Sequence, residues 1–222
     1  ESLDVGRQAI SGEELKGNII LSVPSDLGRN TLLSHFIEFQ KQYPGIKLTV
    51  KVSDKYADFY SQNLDASIRY GEPEDSALVC LPIIRNATRE LCAPPEYSQQ
   101  FGTPTKPEEL VDHNCLHFSG DDTLSSHWRF YKDLNTISVK VSGSHVSDNG
   151  DYLRLLALKG VGITYKTGLD VQQDIAEGRL ISLLPKYKKE NAPLNMVVAH
   201  RKSYDSNLVA LREFLVEALS AE

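Results

Sequence analysis

The run NIILSVPSDLGRNTLLSHFIEFQKQYPGIKLTVKV, Asn18 to Val52, changes its periodicity twice. Asn18 to Pro24 is a short apolar stretch with the length of a buried strand. Leu32, Leu33, Phe36, Ile37 and Tyr43 then recur at helical spacing, and Ser25 or Asp26 stands where an N-cap belongs. Pro44 and Gly45 stop that helix, and Ile46 to Val52 alternates as a strand. Strand, helix and strand follow one another within 35 residues.

The pattern continues outward. DKYADFYSQN (54–63) reads as a short helical connection into LDASIRY (64–70), where Leu64, Ala66 and Ile68 alternate with polar residues. Arg69 stands at the end of that strand, just before the Gly71-Glu72-Pro73 turn. The order β-α-β-α-β predicts an α/β fold with mainly parallel sheet flanked by helices. In the second half TRELCAP (88–94) is a strand, PEYSQQFG (95–102) a helical turn and KPEELVDH (106–113) a short helix. CLHF (115–118), WRFY (128–131) and ISVKVSG (137–143) follow as strands. SDNGDYLRLLALKG (147–160) is a capped helix with Leu153, Leu156 and Ala157 inward and Gly160 closing it. VGITY, the LDVQQDIAEG helix, RLISLL, LNMVVAHR and the amphipathic SNLVALREFLVEAL complete the chain.

Composition excludes several classes. The 222 residues are 41% hydrophobic and 24% charged, an ordinary globular balance. No apolar run approaches the ~20 residues of a membrane helix, and no membrane role is expected. Net charge is −6, and Lys186 to Lys189 (KYKK), the densest basic run, reads as a solvated loop. Tight DNA binding rests on clustered Lys and Arg, so this stretch is not expected to touch nucleic acid itself. Three cysteines (Cys80, Cys92, Cys115) do not suggest a disulfide framework, and a cytoplasmic location is expected.

Catalytic patterns are not evident. His113, Cys115 and His117 alternate along one strand face, and soft N and S ligands suit zinc. No fourth ligand stands at the usual spacing, so no metal and no cofactor is expected. A nucleophile elbow and a phosphate-cradling glycine loop are both lacking.

The ordered runs LKGNIILSVPSDLG, LLSHFIEFQKQYPGIKLTV, LDASIRYGEPEDSALVCLPI, LCAPPEYSQQFGTPTKPEELVDHNCLHF, LRLLALKGVGI and DIAEGRLISLL resemble the effector-binding domain of LysR-type transcriptional regulators. The sequence departs from that family at Ser34, where proline is usual, at Ala93, where serine is usual, and at Thr164 to Thr167. The resemblance implies two α/β lobes of the type 2 periplasmic-binding-protein kind, joined by two crossover strands. Residues 17–85 with 193–222 would form lobe one and 86–192 lobe two, with 1–16 the tail of a linker helix. It also implies a small-molecule effector in a cleft between lobes, and DNA contact only through a winged helix-turn-helix module outside this chain. A homodimer is implied, with a tetramer as an option at full length, in which TLLSHFIEF pairs antiparallel with DYLRLLALKG.

Within that frame Ser25, Ser53, Arg69, Phe118, Ser119 and Ser147 stand at strand ends or helix starts and form the candidate effector site. Ser25 and Arg69 together favour a small anion. Each also has a structural reading: Ser25 as a helix cap, Arg69 as a partner of Glu72, Glu74 or Asp75 or as a hinge fastener. A periplasmic solute-binding protein would share the fold, and an enzyme on the same scaffold is the third reading.

Overall fold

The computed structural model describes residues 15–55, 59, 62–71, 78–119, 126–199 and 205–220. Its residues fall into two compact units, one ending at Asn86 and resuming at Pro193, the other Ala87–Ala192.

The first unit is built on β1 (Gly17–Val23), β2 (Ile46–Val52), β3 (Ala66–Tyr70), β4 (Leu78–Ile84) and β13 (Leu194–Ala199), in the sheet order β2-β1-β3-β13-β4. Strands β1 and β2 pair in parallel from Gly17 opposite Ile46 to Val23 opposite Val52, and β3 runs parallel beside β1. Strand β13 inserts antiparallel between β3 and β4, so the sheet is mixed rather than mainly parallel. The returning C-terminal segment causes this: it enters from the opposite direction and carries a register shift at Leu194/Asn195. Sequence patterning does not reveal β4, because Pro82 in its middle lacks the N–H a strand needs. The carbonyl of Pro82 instead accepts from Arg212 of α5 (Ser206–Ser220) at 2.8 and 3.1 Å.

Between β1 and β2 the chain coils through a wide turn, Leu27–Thr31, into α1 (Leu32–Gln42). Gly28 lets that turn lie directly on β1, since a Cβ there would sit 2.5 Å from Cγ2 of Val23. Helix α1 buries Leu32, Phe36 and Phe39, and the Phe39 ring meets Phe214 edge-on at 5.5 Å. The apolar positions of this helix divide: Leu33 and Ile37, within the TLLSHFIEF run expected to pair with a second copy, are 55% and 49% exposed. Positions 32, 36, 39 and 43 form one stripe, and 33 and 37 lie about 100° around the helix from it.

The second unit holds β5 (Arg89–Ala93), β6 (Cys115–Phe118), β9 (Val146–Ser147), β10 (Ile163–Thr167) and β11 (Ile181–Ser182), in the order β11-β5-β10-β6-β9. This sheet is mixed too, β10 running parallel to β6 and antiparallel to β5. Alternation divides its core: Leu91, Cys115 and Ile163 face one side with Trp128 and Phe130, while Cys92 and Leu116 face the other with Leu153, Ala157 and Val171. The expected RLISLL strand shortens to Ile181–Ser182. The KYKK run is not all loop: β12 (Lys188–Lys189) pairs with β7 (His127–Lys132), which pairs with β8 (Asn135–Lys140). Tyr165 ties this small sheet to the larger one, donating to the Arg129 carbonyl at 2.8 Å and accepting from the Glu190 N–H at 2.9 Å.

Helix α2 (Pro95–Phe101) follows β5, and later helices cover the second face. Asn149 caps α3 (Gly150–Leu158) by accepting from the Tyr152 N–H at 2.8 Å, and Gly160 turns the chain away at φ 78°. Asp174, on α4 (Gly168–Ala176), is fully buried and takes a two-pronged contact from Arg154 at 2.6 and 2.9 Å. Arg179 adds contacts at 2.6 and 2.9 Å. No sequence pattern announces this cluster, because its members share no helical period.

Candidate functional site at the strand ends

Because β1, β2 and β3 run parallel, their carboxyl ends emerge at one edge of the first sheet. Three of the sequence-selected residues, Ser25, Ser53 and Arg69, stand there. The amide of Ser53 donates to the Val23 carbonyl at 2.9 Å, extending the β1–β2 ladder and fixing the main chain that carries Asp54. The Ser53 hydroxyl accepts from the Lys55 N–H at 3.3 Å.

Ser25 does not cap its own helix with its hydroxyl. That hydroxyl donates to one oxygen of Asp54 at 2.5 Å, and the Ser25 amide donates to the other at 2.7 Å. The cap falls to Asp26, whose carboxylate accepts from the Leu27 N–H at 3.0 Å. Asp54 is absent from the sequence-selected set; its place directly after Ser53 at a strand end was the available signal.

Arg69 is 8% exposed. Its guanidinium donates to the Ser22 hydroxyl at 2.7 Å and to the carbonyls of Lys55 and Ile68 at 3.1 Å each. Ser22 lies opposite Ser67 in the β1–β3 register, two residues before Arg69, so strand alternation brings the two side chains together. One cation thus joins β1, β3 and the segment after β2. Glu72, Glu74 and Asp75 lie outside the described residues, as does half of the 54–63 connection.

In the second unit, Phe118 and Ser147 are register partners at the ends of the parallel strands β6 and β9. The Ser119 amide donates to the Ser147 carbonyl at 2.9 Å, and the Ser147 hydroxyl accepts from the Asn149 N–H at 3.1 Å. Phe118 packs half-buried against the cluster of Leu116 and Leu153. The HNCLH residues have separate surroundings: His113 meets the Tyr97 hydroxyl at 3.3 Å, while the buried Cys115 thiol donates to the Leu110 carbonyl at 3.4 Å.

Residues 12–220 match the family model described as the LysR substrate binding domain. The chain belongs to that family. The HTH-type transcriptional regulator CrgA of Neisseria meningitidis is 34% identical over 183 residues, 82% of this chain and 60% of that protein. The transcriptional activator TtdR of Escherichia coli is 29% identical over 78% of this chain and 55% of its own length. The chain therefore spans somewhat over half the length of these relatives. The solved regulatory domain of CrgA superposes with a TM-score of 0.82 at 30% identity, covering 92% of this chain and all of that one.

Cys92 and Cys115 of this LysR domain are poorly suited to thiolate chemistry. Burial pushes Cys92 up to about 12, with Glu90 adding to it, and burial alone pushes Cys115 up to about 12. Both exceed the unfolded value of 9.0, so the folded chain holds protons that the unfolded chain releases. The thiols' contribution to stability is therefore whole below pH 9.0 and is lost as pH rises toward about 12. Urea midpoints should drop above pH 9.0, and a Cys92→Ala/Cys115→Ala variant should show a shallower drop. Parallel curves for the two proteins would refute this.

Proposed function

We propose that this LysR domain is the sensory part of a cytoplasmic transcriptional regulator, binding a small-molecule effector rather than catalysing a reaction. The observation that carries the reading is the family match over nearly the whole chain, joined to polar side chains at the carboxyl ends of β1, β2 and β3. Ligands of open α/β sheets take that position. CrgA and TtdR are transcriptional regulators, which favours this reading over a periplasmic solute-binding protein. Among the described residues no helix is long and apolar enough to cross a membrane.

Of the candidate residues, Ser53, Ser119 and Ser147 best suit effector contact. None of the three hydroxyl protons is given to another described residue, whereas the donors of Ser25 are given to Asp54. An effector can bias the domain only by its difference in affinity for two states. The DNA-binding module that would read out that bias belongs to the longer protein. A thermal-shift screen of small metabolites tests the proposal: compounds that raise the melting temperature of wild type but not of Ser53→Ala are expected. Full retention of binding in that variant counts against it.

The same reading proposes a homodimer. Leu33 and Ile37 on α1, and Tyr152 and Leu155 on α3, are 46–55% exposed large apolar side chains at one-turn spacing. Pairing α1 of one copy with α3 of another would cover both stripes. Leu33→Asp is expected to give a monomer by light scattering with little change in melting temperature. An unchanged dimer mass would contradict the pairing.

A further inference from the structure

We infer that Asp54 is a selectivity residue: its carboxylate fills the position at Ser25 that an effector carboxylate would take, so the first unit rejects carboxylates there. A serine amide has one proton and its hydroxyl one more. Both are directed at Asp54, one to each oxygen, at 2.7 and 2.5 Å. This is the two-oxygen seat a free carboxylate would adopt. Ser25 is 1% exposed, so a competing anion meets no spare donor from it.

The occupant is held by the sheet. Asp54 directly follows Ser53, whose amide is anchored to the Val23 carbonyl at 2.9 Å, so the carboxylate arrives from a fixed strand end. An incoming anion would lie within a few ångströms of that carboxylate, which already takes both Ser25 donors. Like charges at such distances repel strongly when half-buried. The part of an effector that approaches Ser25 is therefore neutral or cationic. This consequence rests on the proposed function; the occupancy of the Ser25 donors does not.

The test compares wild type, Asp54→Ala and Asp54→Ala/Ser25→Ala in sodium acetate and in sodium chloride at equal ionic strength. Wild type is expected to melt at the same temperature in both salts. Asp54→Ala should melt lower in chloride and recover in a saturating manner with acetate, which restores a carboxylate to the Ser25 donors. The double variant should lose that recovery. Equal melting of Asp54→Ala in both salts, or an acetate gain in wild type as large as in Asp54→Ala, would overturn the inference. If Asp54→Ala does not fold in chloride, refolding in acetate supports the inference and failure in both salts overturns it. A metabolite screen without hits would count against the effector reading and leave the acetate result standing.

Discussion

Asp174→Ala is expected to destabilise the second unit by about 3–5 kcal/mol, the range for removing one partner of a buried ion pair. The carboxylate is fully buried and Arg154 is 9% exposed, so the variant leaves the guanidinium with Asp151, at 3.6 Å, as its nearest described carboxylate. The side chain of Arg179 is 46% exposed and can turn to water, so its share of the cost is small. Replacing both buried partners with apolar residues of similar volume, Arg154→Met with Asp174→Leu, should recover much of the loss. Urea denaturation reads both variants. A loss below about 1 kcal/mol for Asp174→Ala would assign the pair to the class of weak surface contacts.

Arg69→Ala is expected to cost about 3–6 kcal/mol, on the scale of two lost hydrogen bonds to a charged group. The Ser22 hydroxyl and the Lys55 carbonyl lose their donor, and β1, β3 and the segment after β2 lose the cation that joins them. Sequence reading leaves Arg69 open between effector contact and structural fastener, and the hydrogen bonds weigh on the second side. Calorimetry separates the two. A melting point several degrees lower with effector affinity retained fits the fastener. Unchanged melting with effector binding lost would make Arg69 a ligand contact.

Those two expectations show where sequence reading stops. The alternation of Ile46 to Val52, the Pro44-Gly45 stop and the Gly160 closure are local signals, and each corresponds to an element in its expected place. Pro82 hides β4 because a proline weakens every local sign of a strand. Leu33 and Ile37 are harder to place, because an apolar residue on a helix announces burial without saying whether its own unit or a second molecule supplies the cover. The polar pairings are harder still. Ser25 and Asp54 are 29 residues apart, Arg154 and Asp174 are 20, and Arg69 and Ser22 are 47. Single polar residues at such separations leave no period to read, and only the folded sheet brings them into reach.

Hydrogen exchange on the chain, with and without a compound taken from the metabolite screen, tests the sensory reading most directly. Slowed exchange at residues 22–28, 53–55 and 68–71, the carboxyl ends of β1, β2 and β3, is the expected result. Unchanged exchange in all three segments, with slowing instead along the β7–β8 hairpin at 127–140, would contradict it.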